Sequence, residues 1–184
     1  MTTPLSNLRI AVVVPCYNEA LAIGQVLDEF RAALPEAALY VFDNNSTDGT
    51  AEVAAARGAT VFAVRLRGKG NVVRRMFADV EADIYIMTDG DATYDITYVR
   101  DHVALLVRDR LDMIVGCRQD DGANAQTYRP GHRWGNQLLT RSVGLIFGGQ
   151  FTDMLSGYRV FSRRYVKSFS ASSAGFETET ELTV

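Results

Sequence analysis

Two aspartates separated by a single glycine follow an apolar segment in the middle of the chain. The segment Ile84–Thr88 has the composition of a buried strand, and Asp89, Gly90 and Asp91 come directly after it. Two carboxylates at a strand end can converge on one hard divalent cation, and the glycine lets a phosphate approach the backbone. The alternative is a turn of solvated acids. Asp43 ends a neighbouring predicted strand, and a third acid at the same edge favours a bound metal, sugar or base.

Basic side chains that could bind phosphate occur at two places. Lys69 lies in the turn RGKGN, and Arg133 and Arg159 come later in the chain. The planar arginine fork suits phosphate oxygens, so these two arginines could clamp an anion if the fold brings them together, although most single arginines are solvated surface residues. The RGKGN turn lacks the spacing of a Walker loop and the chain has no GxGxxG sequence. P-loop and dinucleotide-binding functions are therefore disfavoured.

The cysteines and histidines do not form a recognisable site. Cys16 and Cys117 are far apart, and His102 and His132 are the only histidines in the sequence. This pattern predicts neither a disulfide framework nor a zinc site. We expect Cys16 to be a small buried hydrophobic residue rather than a nucleophile, and both histidines to be structural.

The elements that position these residues alternate between short apolar runs and segments with helical spacing. Strands are predicted at Ile10–Val14, Leu39–Phe42, Thr60–Val64, Ile84–Thr88, Asp112–Gly116 and Gly157–Phe161. Helices are predicted at Ile23–Leu34, before Gly58, around Val73–Val80, and at Tyr98–Arg108, Trp134–Phe147 and Arg163–Phe169. Asn18 is the predicted N-cap of the first helix. The segment Arg118–Pro130 is predicted to be a long loop, either a lid or a surface loop without a function. The alternation indicates βαβ units. Polar loops follow the strands at their carboxyl ends, the edge where open α/β sheets bind ligands.

Composition indicates one ordinary globular domain. The chain has 184 residues, of which 47% are hydrophobic and 22% charged, with a formal net charge of −3. Disordered, collagen-like and coiled-coil classes are excluded, and the charge argues against a nucleic-acid-binding protein. The N-terminal segment does not resemble a secretory signal, and the longest hydrophobic run, Ala37–Phe42, is far shorter than the about 20 residues that cross a bilayer. We therefore expect a cytoplasmic protein without a transmembrane segment.

Five segments in fixed order resemble the family 2 glycosyltransferases with the GT-A fold. They are VVVPCYNEA, FDNNSTDGT, GKGNVVRRMF, MTDGDATY and DMLSGYRVFSRR. Within this family the chain is most similar to the polyprenyl-phosphate glycosyltransferases typified by dolichol-phosphate mannose synthase. The resemblance implies a Rossmann-like α/β fold, a three-layer sandwich with a mostly parallel central sheet, forming one catalytic domain over residues 1–184. Because an element begins at GFETETELTV, we expect the domain to be truncated at its C-terminus.

The resemblance assigns the nucleotide-sugar donor to the first three motifs. Pro15, Tyr17 and Glu19 match the family segment that holds the nucleotide. Asp43 matches the acid that contacts the base or ribose, and Lys69 is also assigned to donor binding.

The fourth motif is assigned to the metal. Asp89 and Asp91 match the DxD motif that binds Mg²⁺ or Mn²⁺ under the diphosphate, and Gly90 between them is assigned to donor binding. Thr93 stands where the dolichol branch often has a glutamine as a further ligand. The third protein ligand is therefore left open.

The last motif is assigned to the acceptor. Arg133 matches an arginine that faces phosphate, and Asp153, Ser156 and Arg159 match the D-x-x-S-G-x-R segment on the acceptor side. Glu181 matches a glutamate that follows a glycine-aromatic pair and is also assigned to the acceptor. Catalytic roles are expected for Arg133, Asp153 and Arg159, together with the second aspartate of the DxD motif.

The implied reaction is transfer of a hexose from a UDP- or GDP-sugar to an acceptor, with inversion at the anomeric carbon. The two arginines favour a polyprenyl phosphate acceptor, which would place the protein peripherally on the cytoplasmic face of the membrane, in cell-envelope synthesis. Alternatives are a sugar-hydroxyl or small-molecule acceptor, a nucleotidyltransferase, and a non-catalytic nucleotide-sugar-binding module. No nucleic-acid partner is expected, and a homo-oligomer is compatible with the sequence.

Overall fold

The computed structural model describes four stretches of the chain, residues 7–116, 156–170, 173–175 and 177–183. Several predictions from the sequence lie outside these stretches. They concern the helix at Trp134–Phe147, the loop at Arg118–Pro130, and the residues Cys117, His132, Arg133 and Asp153.

The described residues form one mixed sheet. Its strands are β1 (Ile10–Cys16), β2 (Ala38–Asp43), β3 (Thr60–Ala63), β4 (Ile84–Met87), β5 (Met113–Val115) and β6 (Arg159–Ser162). Their order across the sheet is β3-β2-β1-β4-β6-β5. The first four are mutually parallel, and β6 runs antiparallel to both β4 and β5. The predicted α/β class with a mostly parallel sheet is confirmed.

Helices follow the strands along the chain. They are α1 (Ile23–Ala33), α2 (Thr50–Ala56), α3 (Lys69–Asp79), α4 (Val99–Arg108), α5 (Arg163–Ser168) and α6 (Thr178–Glu181). Within the described ranges, every helix is too short or too polar to cross a membrane.

Alternate side chains of β1 divide between two hydrophobic cores. Val12 packs in the same core as Leu27 of α1 and Val103 of α4. Val13 lies in the opposite core with Val73 of α3. Since successive side chains of a strand point to opposite faces, a strand that is apolar throughout must be covered on both sides. The result is a sheet between two helical layers.

The register brings the ends of β1, β2 and β4 to one edge of the sheet. Cys16 pairs with Asp43 at the ends of β1 and β2, and Val13 pairs with Met87 near the end of β4. Because β6 is antiparallel, Arg159 at its start pairs with Met87. The loops that follow β1, β2 and β4 and the residues that precede β6 therefore share this edge.

Candidate active site

The carboxylate of Asp89, just beyond β4, is held between a lysine and a glycine. Lys69 Nζ, at the first residue of α3, lies 2.6 Å from Asp89 Oδ1. The other oxygen, Oδ2, faces Gly157, where a Cβ atom would stand only 2.0 Å away. Only glycine at position 157 leaves room for Asp89 in this orientation.

Lys69 is a buried ammonium that bridges two carboxylates. Its side chain is 11% exposed, and Nζ lies 2.6 Å from Glu179 Oε1 as well as from Asp89. Burial by itself lowers the pKa of Lys69, but the charges of Asp89 and Glu179 outweigh it and hold the pKa above the usual lysine value. The lysine therefore stays protonated between its two carboxylate partners.

Asp91 projects from the same loop and is exposed. Its Oδ1 accepts hydrogen bonds from the Thr93 backbone N–H at 3.1 Å and from Thr93 Oγ1 at 2.7 Å. Thr93, at the position of the family glutamine, therefore orients Asp91. Over the described stretches, no group of three or more histidine, cysteine, aspartate or glutamate side chains is arranged to hold a metal. Asp89 and Asp91 nonetheless fit Mg²⁺ or Mn²⁺, since Mg²⁺ is usually held by one or two carboxylates, substrate phosphates and water.

Gly90 allows Glu19 and Cys16 to pack against the loop after β4. A Cβ atom on Gly90 would stand 2.1 Å from Glu19 Oε2 and 2.7 Å from Cys16 Sγ. Glu19 Oε2 is buried and has no hydrogen-bond partner among the described residues. Burial raises the pKa of Glu19 to about 7; the neighbouring Cys16 thiol opposes this shift and the charge of Asp89 adds to it. Cys16 is buried, and that burial raises the pKa of its thiol far above the ordinary value, which disfavours the nucleophilic thiolate.

Asp43, the last residue of β2, has one satisfied and one unsatisfied oxygen. Oδ2 accepts from the Ser46 backbone N–H at 3.2 Å, whereas Oδ1 is buried and has no hydrogen-bond partner in the described part of the chain. The next residue, Asn44, ties this loop to the one before α3: its side chain donates to Leu66 O at 2.8 Å and accepts from Gly68 N at 2.9 Å. A rigid loop thus presents a buried acceptor that a ligand N–H or O–H could satisfy.

Pro15 and Tyr17 complete the donor-side residues at this edge. Pro15 is buried within β1 and pairs with Phe42. Tyr17 directly follows Cys16, which pairs with Asp43, and the residue is 54% exposed. An exposed aromatic residue at this edge could contact a flat base. The seven residues predicted to bind the donor all lie at or next to this edge of the sheet, and their contact with a donor stays a prediction. They are Pro15, Tyr17, Glu19, Asp43, Lys69, Asp89 and Gly90.

Arg159 is fully buried and braces the backbone next to the site. Its Nε donates to Ser156 O at 3.0 Å, Nη2 to Glu179 O at 3.0 Å and Nη1 to Thr183 Oγ1 at 2.8 Å. No pattern in the sequence predicts this bracing role. Contact of Arg159 with an acceptor phosphate stays a prediction.

The other predicted acceptor residues occupy different positions. Ser156 is buried and its hydroxyl donates to the Gly116 carbonyl. Glu181 Oε2 accepts from the Ser173 backbone N–H at 3.0 Å. Their roles toward an acceptor also stay predictions, as do those of Arg133 and Asp153, which lie outside the described residues.

Glu179 is the residue of the site that the sequence analysis missed. It is 6% exposed and contacts Lys69, whereas the sequence analysis singled out Glu181. The segment ETETE has a glutamate at every second position, so its composition alone does not show which glutamate is buried. The burial pattern of the short helix α6, which comes from the structure, is what distinguishes Glu179 from its neighbours.

The chain belongs to glycosyl transferase family 2, since residues 11–169 match the family with that description. Protein RfbJ of Shigella flexneri is 57% identical over 127 residues, which cover 69% of this chain and 98% of RfbJ. Glycosyltransferase AglJ of Haloferax volcanii is 36% identical over 183 residues and covers 95% of this chain. The dolichyl-phosphate hexose transferase of the same organism is 30% identical over 154 residues, 84% of this chain. This chain spans 57% of the length of AglJ and 66% of the length of the dolichyl-phosphate hexose transferase.

Solved structures share the fold. Glucosyl-3-phosphoglycerate synthase from Mycobacterium tuberculosis, in complex with Mn²⁺, UDP and glucosyl-3-phosphoglycerate, matches with a TM-score of 0.79 and 25% identity. The match covers 97% of this chain and 64% of that enzyme. The predicted GT-A fold is thereby confirmed.

Proposed function

We propose that this chain is the catalytic part of a hexosyltransferase that moves a sugar, with inversion, from a UDP- or GDP-sugar to a polyprenyl phosphate. The observation that carries the proposal is the convergence of Asp43, Asp89 and Lys69 at one sheet edge. Oδ1 of Asp43 is buried without a described partner, which is costly in a folded protein, and Asp89 and Lys69 place opposite charges next to it at the same edge. Such an arrangement is favourable chiefly when a ligand supplies the missing donors or a cation.

The nucleoside end of the donor is assigned to Asp43 and Tyr17. The unpaired Oδ1 of Asp43 can accept a hydrogen bond from a base or a ribose hydroxyl. Tyr17 is exposed at the same edge of the sheet and is proposed to stack on the base. A uridine nucleotide is supported by the UDP bound in the glucosyl-3-phosphoglycerate synthase complex.

The diphosphate end is assigned to the loop after β4 and to the start of α3. Asp89 and Asp91 would hold Mg²⁺ or Mn²⁺, and a bound cation there would neutralise charge on the departing diphosphate. The Mn²⁺ found with UDP in the solved relative supports this assignment. Lys69 adds a fixed positive charge of the chain itself, 2.6 Å from Asp89. The rigid loops hold the donor in one orientation, which lowers the entropic part of the barrier.

A phosphate acceptor needs no general base from the protein. The second pKa of a phosphate monoester is about 6, so most of it is a dianionic nucleophile at neutral pH. The dolichyl-phosphate hexose transferase among the relatives supports a lipid phosphate. Arg133 and Asp153 are proposed to orient that phosphate, with Ser156, Arg159 and Glu181 forming the supporting segment. A lipid acceptor would place the reaction at the membrane surface.

The proposal is tested by measuring whether radiolabel from the sugar donor passes into an organic phase that extracts the lipid product. The chain is incubated with radiolabelled UDP-glucose, UDP-N-acetylglucosamine or GDP-mannose, undecaprenyl phosphate, and either Mn²⁺ or EDTA. We expect one donor to give label in the organic phase only with the metal, with release of a nucleoside diphosphate. The anomeric configuration of the product, measured by proton NMR, should be opposite to that of the donor.

The competing functions predict other products. A nucleotidyltransferase releases pyrophosphate, and a non-catalytic module binds the donor without turnover. Because the solved relative carries glucosyl-3-phosphoglycerate, 3-phosphoglycerate serves as the competing water-soluble acceptor. Label found only in a water-soluble product would overturn the lipid acceptor.

A further inference from the structure

We propose that Glu179 is a positioning residue that allows Lys69 to release Asp89 when a divalent cation binds. The proposal rests on the proposed function, because it concerns the cation assigned to Asp89. It starts from the bridge in which Lys69 Nζ lies 2.6 Å from both Asp89 Oδ1 and Glu179 Oε1. The Lys69 ammonium therefore competes with any incoming cation for the Asp89 carboxylate.

The backbone of Glu179 is fixed from two sides. Its carbonyl oxygen accepts from Arg159 Nη2 at 3.0 Å and from Thr183 Oγ1 at 2.9 Å. The guanidinium of Arg159 is fully buried. These contacts hold the Glu179 carboxylate at a set distance from Lys69, so Glu179 can act as a permanent counter-charge.

The segment before α6 is packed tightly on the start of α3. Gly70 N donates to Gly175 O at 3.1 Å, and Arg74 Nη2 donates to Ser173 O at 3.1 Å. A Cβ atom on Gly70 would stand 2.2 Å from Ser173 O, so only glycine allows this approach. The helix that carries Lys69 and the segment that leads to Glu179 are therefore joined next to the bridge.

The charges of the bridge give Glu179 its role. A cation at Asp89 competes with the Lys69 ammonium for the same carboxylate. If Lys69 had only this partner, its release would leave a buried ammonium unpaired, which is strongly unfavourable. Glu179 keeps the ammonium paired after Asp89 turns to the cation. The glutamate therefore strengthens cation binding without contacting the cation.

Binding of Mn²⁺ to purified variants tests this role without an activity assay. Free Mn²⁺ is measured by electron paramagnetic resonance, with and without UDP. Glu179→Gln should weaken Mn²⁺ binding by about tenfold, the usual scale of coupling between linked sites. Without UDP, the double variant Lys69→Met with Glu179→Gln should recover at least the wild-type Mn²⁺ affinity, because the competitor for Asp89 is gone. Glu177→Gln, an exposed glutamate two residues earlier, is the matched control and should bind as wild type.

Recovery in the double variant separates positioning from damage to the fold, because lost structure is not regained by a second buried substitution. Equal Mn²⁺ affinity in wild type and Glu179→Gln would overturn the inference alone. So would a loss that Lys69→Met does not reverse. A wild-type chain that binds no Mn²⁺, with or without UDP, would instead refute the proposed function and this inference with it.

Discussion

Gly157→Ala is expected to remove most activity while leaving the chain folded. The new Cβ atom would stand 2.0 Å from Asp89 Oδ2, against 3.4 Å for ordinary van der Waals contact. The carboxylate must therefore move by 1.4 Å, the difference between these two distances. Asp89 would leave its position beside Lys69 and, with it, the place proposed for it under the donor diphosphate.

This substitution is expected to displace a side chain of the site without straining the backbone. Gly157 is not among the glycines with a positive φ, so alanine can adopt its backbone conformation. The atoms in the way are those of the Asp89 carboxylate, which can turn aside at small cost to the fold because Lys69 keeps Glu179 as its partner. A misplacement of about 1 Å at a reacting centre can reduce the rate by roughly a hundredfold. We expect a loss of about that size in kcat/KM, with little change in the unfolding midpoint.

The assay compares kcat/KM for sugar transfer and the urea midpoint of wild type and Gly157→Ala. Gly24→Ala is the control, since a Cβ atom there meets the nearest atom, of the Arg57 side chain, at 3.4 Å. It should leave both quantities near their wild-type values. Activity within about twofold of wild type in a folded Gly157→Ala protein would refute the placement of Asp89 in the reaction.

Three further substitutions have distinct expected outcomes. Burial raises the pKa of Glu19 to about 7 from an unfolded value of 4.5, so its contribution to stability is fully present below pH 4.5 and is lost as the pH rises through 7. Urea unfolding of the metal-free protein should therefore show stability falling from pH 5 to pH 8, with a smaller fall in Glu19→Gln; equal falls would contradict the assignment. Asp43→Asn should weaken UDP binding by about tenfold or more in calorimetry, since hydrogen bonds to charged groups contribute about 1.5–3 kcal/mol, and unchanged affinity would argue against contact with the nucleoside. Arg159→Met leaves the buried Ser156 carbonyl without its side-chain donor and removes one of the two side-chain donors to the Glu179 carbonyl, so it should lower the free energy of unfolding by about 2 kcal/mol; a loss below about 1 kcal/mol would contradict the bracing role.

Much of the fold could be predicted because its signals are local. The β-branched run that forms β1 is apolar on both faces, which is the pattern of a buried parallel strand. The predicted N-cap at Asn18 was wrong: α1 begins at Ile23, and Asn18 has φ 56° and accepts from Thr47 N at 2.8 Å. That partner lies 29 residues further along the chain, so local spacing could not reveal it.

The site was predictable where strand geometry alone decides it. Asp43 and Asp89 follow parallel strands, and the carboxyl ends of parallel strands meet at one edge. The bridge from Lys69 to Glu179 was not predictable, because it joins residues 110 positions apart in the sequence. The antiparallel β6 and the short helix α6 create that contact. Neither the direction of β6 nor the packing of α6 can be read from local spacing in the sequence.

The most direct test of the central claim measures how Mn²⁺ changes nucleotide binding. Calorimetric titrations with UDP and GDP, with and without Mn²⁺, are made on wild type and on the double variant Asp89→Asn with Asp91→Asn. The proposed site predicts that Mn²⁺ strengthens binding of one nucleotide to wild type by about tenfold or more, and that the double variant loses this gain. The same gain from Mn²⁺ in both proteins would show that these two carboxylates do not hold the cation.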